Sequence, residues 1–266
     1  MTVRLARMVF GNPNHQLLPV IILHGILGNK MNWRSIAVRL SNETGRQVYT
    51  LDARNHGDSP HTDDMSLELM CSDLVSFLNE CDIPQCILIG HSMGGRTAMF
   101  TALQFNKLIE SLVVVDVSPA SAPSIGKGEI HQYIKAMRQM DLMNVVNKRE
   151  ADKMLSPLVP DNLLRQFLLS NLIKVNRDRY QWKVNLPIIE DSLNTGFPNT
   201  DKQYNGRTLF IGGELSHYIS EIHLSKVSHL FPSSSLKYVR GAGHWVHFEK
   251  PQQFLHLVIN FLAACK

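Results

Sequence analysis

A serine between two glycines is the first candidate for chemistry in this sequence. Residues 90–94 read Gly-His-Ser-Met-Gly, a G-x-S-x-G pattern centred on Ser92. The apolar run 86–89 precedes it and a helix-competent run, 95–103, follows it. This strand, turn and helix setting is typical of a nucleophile elbow, a strained turn that exposes a serine hydroxyl and leaves room only for small neighbours. The pattern therefore predicts that Ser92 is a nucleophile.

A serine hydroxyl needs a base within hydrogen-bond reach, because it is a poor nucleophile at neutral pH. Of the twelve histidines, His244 fits best, since it follows the last core strand across the glycine-containing turn 241–243. In a parallel sheet this position lies at the carboxyl edge, where Ser92 is also expected. His91 adjoins the serine, but its side chain should diverge at a sharp turn. His247 is the fallback base.

The acid that orients the imidazole should lie between the serine and the histidine in chain order. Two residues meet that condition. Asp116 ends the apolar run 112–115, and Glu214 follows the run 208–211 after two glycines. Asp52 also ends a predicted strand, but it precedes the serine. The residues alone leave both Asp116 and Glu214 open.

Backbone N–H groups must stabilise the oxyanion that forms when a serine attacks a carbonyl. One is expected just after the nucleophile, at Met93, and one in an early loop. The loop 24–28 follows the predicted strand Val20–Leu23 and contains two glycines. Gly25 would let the backbone approach the substrate, and Ile26 would supply the second amide.

Short apolar runs alternate with helical patterns along most of the chain. The predicted strands are a first one within residues 3–10, then Val20–Leu23, Val48–Leu51, 86–89, 112–115, 208–211 and 236–239. Because these runs are apolar on both faces, they indicate a mostly parallel sheet covered by helices on each side. The alternation predicts a doubly wound α/β fold.

Residues 119–204 break this alternation. Their predicted helices are 129–140, Lys148–Leu155, 161–172 and 186–193. A helical block between two strands would lie over the carboxyl edge of the sheet as a cap, and its many Met and Leu side chains could line an adaptable acyl pocket. We therefore expect one domain, with a core formed by residues 1–118 and 205–266 and a cap formed by residues 119–204.

The composition excludes several classes of protein. Of the 266 residues, 44% are hydrophobic and 19% are charged, which is typical of a globular chain. The net charge of +4 includes no basic block, so nucleic-acid binding is not expected, although the excess base is compatible with anionic substrates such as acyl-CoA. No apolar run approaches the ~20 residues of a membrane span, so stable membrane insertion is not expected.

The four cysteines and the N-terminus bear on the compartment. The cysteines are Cys71, Cys81, Cys86 and Cys265, and they lack a metal-ligand spacing. The N-terminus contains Arg4 and Arg7 but already has the pattern of a first strand rather than of a removable leader. These features predict reduced thiols in a soluble intracellular protein, cytoplasmic or mitochondrial, with no metal or cofactor.

Four motifs, in their order and spacing, resemble the α/β-hydrolase superfamily over nearly the whole chain. They are His24-Gly25 and the segments 52–59, 90–95 and 241–245. The stretches 51–60 and 115–119 are most similar to an esterase branch with animal and bacterial members. The resemblance implies the α/β-hydrolase fold and a cofactor-independent Ser–His–Asp esterase. Its activity on carboxylic esters could extend to acyl thioesters.

The resemblance also bears on the acid. Most of the superfamily carries Asp in a G-x-x-D pattern after the strand that corresponds to 208–211, where this chain has Ser216. The bacterial relatives use an Asp after the preceding core strand, which matches Asp116. The resemblance therefore favours Asp116 over Glu214. Asp52 is expected to be structural.

Two alternatives to ester hydrolysis stay open. The same acyl-enzyme could pass its acyl group to an acceptor other than water. A hydrolase scaffold could also serve as a non-catalytic ligand-binding module, although such modules often lose a triad member and every candidate is present here. In either enzyme the expected partner is a small-molecule acyl ester or thioester. Nothing in the sequence indicates a protein partner.

Overall fold

A seven-stranded sheet lies at the centre of the structure, a computed structural model that describes residues 1–14, 16–120, 127–176 and 179–264. Its first five strands are β1 (Arg7–Phe10), β2 (Val20–Leu23), β3 (Val48–Leu51), β4 (Cys86–His91) and β5 (Ile109–Val115). A separate hairpin follows, formed by β6 (Leu172–Asn176) and β7 (Arg179–Trp182). The sheet is completed by β8 (Arg207–Gly213) and β9 (Ser234–Val239). Cys265 lies outside the described residues.

The sheet has the order β1-β3-β2-β4-β5-β8-β9. Every neighbouring pair is parallel except β1 with β3, which is antiparallel. The predicted mostly parallel α/β fold is therefore confirmed. Because β4, β5, β8 and β9 run in one direction, the loops after them meet at one edge, where open α/β sheets bind their ligands. Ser92, Asp116, Glu214 and His244 all follow these strand ends.

Helices cover both faces of the sheet. The α-helices of the described residues are α1 (Arg34–Thr44), α2 (Leu67–Glu80), α3 (Met93–Gln104), α4 (Lys127–Gln139), α5 (Lys148–Leu155), α6 (Asn162–Leu169), α7 (Leu186–Ser192), α8 (Leu224–Leu230), α9 (Val246–Glu249) and α10 (Pro251–Leu262). Alternate β2 side chains point to opposite faces. Ile22 belongs to a buried cluster that includes side chains of α1 and α10, and Ile21 belongs to a second cluster that includes side chains of α2, α3 and α8. The strands are apolar on both sides because both sides are covered.

The cap lies between β5 and β8 and contains α4 to α7 and the hairpin. Its apolar side chains, among them Met137 and Leu168, form one cluster with Leu27 and Phe100 of the core. Parts of the predicted cap, residues 121–126 and 177–178, lie outside the described residues. Burial of this shared cluster holds the cap segment against the core.

One helix prediction in the cap is partly wrong. The apolar pattern predicts a helix over 161–172, but α6 ends at Leu169 and Leu172 is the first residue of β6. The alternation of Ile173 and Val175 with Lys174 suits a strand, and β6 gains a partner in β7.

Among the described residues, no helix is both long and apolar enough to cross a bilayer.

Candidate active site

Ser92 occupies a strained turn between β4 and α3. Its φ of 52° and ψ of −115° lie in a region that residues other than glycine rarely adopt. The turn is closed so tightly that a Cβ on Gly90 would lie 2.3 Å from the carbonyl oxygen of Gly94. The α3 helix begins at Met93, so its positive N-terminus lies directly beside the serine. These are the features of the predicted elbow.

Asp116 and His244 meet at the same edge. The imidazole Nδ1 lies 2.7 Å from the Oδ2 of Asp116, a carboxylate that is fully buried. The backbone N–H of Gly213 donates to Oδ1 over 2.9 Å, and the Ser216 hydroxyl donates to Oδ2. Because a carboxylate only accepts, Nδ1 carries the proton and Nε2 remains the acceptor. An imidazole in this tautomer is set to act as a base.

Glu214, the other acid candidate, has a different contact. Its exposed carboxylate accepts the N–H of Gly241 over 2.7 Å. Sequence reasoning missed a second carboxylate on the same turn: Glu249 accepts the N–H groups of Gly243 over 2.8 Å and of Trp245 over 3.1 Å. Both glutamates therefore hold the backbone around the histidine loop. The signal for Glu249 was weak, because it lies in a four-residue helix.

The rings around His244 restrict its movement. Tyr218 stacks on it with ring centroids 4.0 Å apart, and burial raises the pKa of Tyr218 to about 12. On another side, His91 donates from Nε2 to the carbonyl oxygen of His244 over 2.9 Å. His91 is fully buried, and burial holds its pKa well below the ordinary value. It therefore positions the histidine loop as a neutral group.

His247, the fallback base, lies in different surroundings. It stacks on Trp33 with centroids 3.9 Å apart, and its Nδ1 is buried with no hydrogen-bond partner among the described residues. Burial lowers the pKa of His247 to about 3. By contrast, His244 and Ser92 line one narrow pocket together. No hydrogen bond joins their side chains within the described residues. In enzymes, catalytic hydrogen bonds are often long until substrate binds.

The loop 24–28 lies against the elbow. A Cβ on Gly25 would lie 2.5 Å from Nδ1 of His91 and 3.3 Å from Cβ of Ser92, so only glycine fits there. Ile26 lines the narrow pocket, and within the described residues its N–H has no acceptor. Met93 is the first residue of α3, so its N–H has no partner inside the helix. Among the described residues, neither of the two predicted oxyanion amides therefore donates to a backbone acceptor.

A larger cavity of about 710 Å³ adjoins the narrow pocket. Four side chains line both spaces, namely Tyr133, Leu164, Phe167 and Trp245. This volume lies in the range that holds a drug-sized group. Within the part of the chain that is described, no three His, Cys, Asp or Glu side chains are grouped to hold a metal ion.

The sheet, the serine elbow and the carboxylate–imidazole pair define a class of protein, and comparison with known proteins agrees. The sequence profile described as alpha/beta hydrolase fold matches residues 19–251, so the chain belongs to the α/β-hydrolase family. A solved structure called "Marine microorganism esterase" superposes with a TM-score of 0.93 and 34% identity, covering 98% of this chain and all of the other. These findings confirm the predicted fold and family.

Curated relatives narrow the class. The sn-1-specific diacylglycerol lipase ABHD11 of Xenopus laevis is 44% identical over 92% of this chain and 80% of the relative, in agreement with the esterase branch indicated by the motifs. A probable alcohol acetyltransferase of Saccharomyces cerevisiae is 33% identical over 92% of this chain and 77% of that relative. The chain is a serine hydrolase of carboxylic esters.

Proposed function

We propose that Ser92 attacks the acyl carbonyl of an ester while Nε2 of His244 takes its proton. The carbonyl oxygen becomes an oxyanion, which the N–H groups of Ile26 and Met93 stabilise. His244 then donates the proton to the leaving alcohol, and an acyl-enzyme remains on the serine. Water attacks this acyl-enzyme by the reverse route, with the same imidazole as base. Asp116 stays ionised and orients the ring throughout.

The contact between Asp116 and His244 carries this proposal. A separation of 2.7 Å from a fully buried carboxylate fixes the tautomer of the ring and stabilises the imidazolium that forms during attack. The carboxylate is held in turn by Gly213 and Ser216, whose groups leave it little freedom to rotate. Glu214 is engaged with Gly241 instead, which supports Asp116 as the acid.

The large cavity supports a proposal about the substrate. Its walls are mostly apolar, so we propose that it binds the acyl chain or the alcohol part of a bulky ester. Asp161 and Glu249 are its charged lining groups, and no Lys or Arg lines it among the described residues. Acidic walls repel anions, so an uncharged ester fits better than acyl-CoA. A diacylglycerol, named as the substrate of the Xenopus laevis relative, meets this requirement.

Acyl transfer is the second candidate, and one relative favours it. The Saccharomyces cerevisiae relative is named a probable alcohol acetyltransferase, and an acyl-enzyme on Ser92 would serve both reactions. An ester assay run with added ethanol separates them, because hydrolysis yields the free acid and transfer yields the ethyl ester. Predominant ethyl ester at low ethanol concentration would identify a transferase.

The nucleophile is tested by Ser92→Ala on a small activated ester such as a p-nitrophenyl ester. We expect kcat/KM to fall at least about 10³-fold, since loss of a catalytic serine leaves only binding and oxyanion stabilisation. The thermal unfolding midpoint, followed by circular dichroism, controls for loss of the fold. Turnover at the wild-type rate in the folded variant would overturn the proposal.

A further inference from the structure

The loop with the proposed oxyanion amide has an unusual backbone. The N–H of Gly28 donates to the carbonyl oxygen of Gly25 over 3.0 Å, which closes a four-residue turn. Leu27, the third residue of that turn, has a φ of 58°. Glycine or asparagine is the usual residue in this conformation, because a side chain crowds its own backbone there. The surrounding structure must therefore hold Leu27 in place.

Side chains from two distant segments hold both polar groups of Leu27. Its N–H donates to Nε2 of His56 over 3.2 Å, and its carbonyl oxygen accepts from Nδ2 of Asn171 over 2.7 Å. His56 is a neutral acceptor, because its Nδ1–H donates to the carbonyl oxygen of Arg54 over 3.0 Å and burial lowers its pKa to about 3. His56 therefore holds the N–H of Leu27, whereas the N–H of Ile26 has no acceptor among the described residues.

Asn171 belongs to the cap, in the turn between α6 and β6. Its side chain is 1% exposed, and its own backbone is tied to the cap by hydrogen bonds to Leu168 and Lys183. Its Oδ1 is buried with no hydrogen-bond partner among the described residues. The side-chain amide of Asn171 is therefore held by its bond to Leu27, although its Oδ1 stays buried without a partner among the described residues, which is rare in proteins.

We propose that Asn171 is a positioning residue for the oxyanion hole: from the cap, it holds the carbonyl oxygen of Leu27 and so orients the N–H of Ile26. This inference rests on the proposed function. It makes the cap part of the catalytic machinery rather than only a cover over the cavity. Asn171 does not touch the substrate and acts through the loop.

The test compares Asn171→Ala and Asn171→Asp with the wild-type protein. Both variants lose the donor to Leu27, and Asp has nearly the same shape as Asn. We expect kcat to fall roughly 10-fold to 100-fold and KM to change less than about 3-fold. This loss is smaller than the roughly 10²–10³-fold decrease in kcat that follows removal of an oxyanion donor itself. Affinity for a trifluoromethyl ketone, whose adduct places an oxyanion in the hole, should fall by the same factor as kcat/KM.

Asn185 supplies a matched control. It also joins the cap to the core through Nδ2, which donates to Oδ1 of Asn55 over 3.1 Å and to the carbonyl oxygen of Thr62 over 3.2 Å, and among the described residues it makes no hydrogen bond to the loop 24–28. Asn185→Ala and Asn185→Asp should lower the unfolding midpoint while leaving ketone affinity within about 3-fold of wild type.

The outcomes are decisive for Asn171. Unchanged affinity for the trifluoromethyl ketone in folded Asn171 variants would overturn the assignment. A loss of ketone affinity no greater than that of the Asn185 variants would overturn it too. Loss of the thermal transition in Asn171→Ala, with Asn185→Ala still folded, would make Asn171 a determinant of the fold and would overturn it as well. Failure of the proposed function has another signature, namely wild-type turnover by Ser92→Ala.

Discussion

At the scale of residues, the site contains buried histidines that are held neutral. Burial lowers the pKa of His24, His56, His91 and His247. His24 illustrates the use of such a ring: its Nδ1–H donates to the carbonyl oxygen of Gly25, and its Nε2 accepts the N–H of Ala53. These rings serve as fixed hydrogen-bonding parts of the loops, whereas His244 keeps an edge towards the pocket.

Acid should therefore destabilise the fold through these rings. The pKa values of His56 and His247 are about 3 in the folded protein, against an ordinary 6.5 in the unfolded chain. Below pH 6.5 the unfolded state binds more protons, so stability is lost as the pH falls from 6.5 towards 3. At pH 5 the loss is about 2 kcal/mol for each ring.

His247→Phe tests this linkage, because Phe retains stacking on Trp33. The free energy of unfolding, measured in urea, should decrease less between pH 7 and pH 5 in the variant, by about 2 kcal/mol. Identical pH dependence in the two proteins would show that the buried imidazole is not linked to folding.

Sequence reasoning reached the candidate residues to different degrees. Ser92 and His244 carry local signals, a glycine-flanked serine and a histidine after a strand and turn. The acid was open from the residues alone, because Asp116 and Glu214 both follow core strands in the required order. The two acids differ in their contacts: Asp116 binds the imidazole of His244, and Glu214 binds the N–H of Gly241. Both contacts join residues that are distant in sequence, so the sequence pattern does not reveal them.

At the scale of elements, the start of α3 is fixed by its contact with the end of β2. A Cβ on Gly94 would lie 2.5 Å from the carbonyl oxygen of Leu23 and 2.6 Å from that of His24. The helix can approach these carbonyl oxygens so closely only because Gly94 has no side chain. The same contact brings the first turn of α3 against the start of the loop 24–28.

Gly94→Ala should lower the free energy of unfolding by about 1–3 kcal/mol, despite the better helix propensity of alanine. Gly128 is the matched control, since it is exposed in α4 and an added Cβ would have nothing within 4 Å. Gly128→Ala should stabilise the protein by up to about 1 kcal/mol. Equal effects in denaturant unfolding would contradict the packing argument.

The core strands could be predicted because burial on both faces leaves continuous apolar runs. The strand pair β6 and β7 could not, because Leu172 also fits the helical period of the preceding residues and the pair is stabilised by hydrogen bonds between its two strands. The helix α9 has only four residues, too few for a periodic pattern. The strand β6 follows Asn171 directly, and α9 begins two residues after His244. The local sequence pattern therefore predicted the secondary structure least well close to the site.

At the scale of the whole molecule, charge is distributed unevenly. The net charge is +4, yet the charged lining groups of the large cavity are the carboxylates of Asp161 and Glu249 among the described residues. The net charge alone is compatible with an anionic substrate, but the charged groups that line the cavity are acidic. Local charges dominate, because solvent screens charges beyond about 10 Å at 0.1 M salt.

Paired thioesters with one acyl group test this point. We expect kcat/KM for the uncharged N-acetylcysteamine thioester to exceed that for the CoA thioester by about 10-fold at low salt, with added salt narrowing the gap. Asp161→Asn should also reduce the difference between the two thioesters, because it removes a negative charge from the cavity. The helix cap is retained, since Asn can accept the N–H of Leu164 as Asp161 does. A preference for CoA would contradict the charge argument.

We propose that Ser92 is activated by His244 and Asp116. This activation is tested most directly by the rate of labelling with a fluorophosphonate, with the modified peptide located by mass spectrometry. We predict modification at Ser92, slowed at least about 10²-fold by Asp116→Asn and changed less than about 3-fold by Glu214→Gln. Labelling at another residue, or slowing by the Glu214 variant in place of the Asp116 variant, would contradict the account.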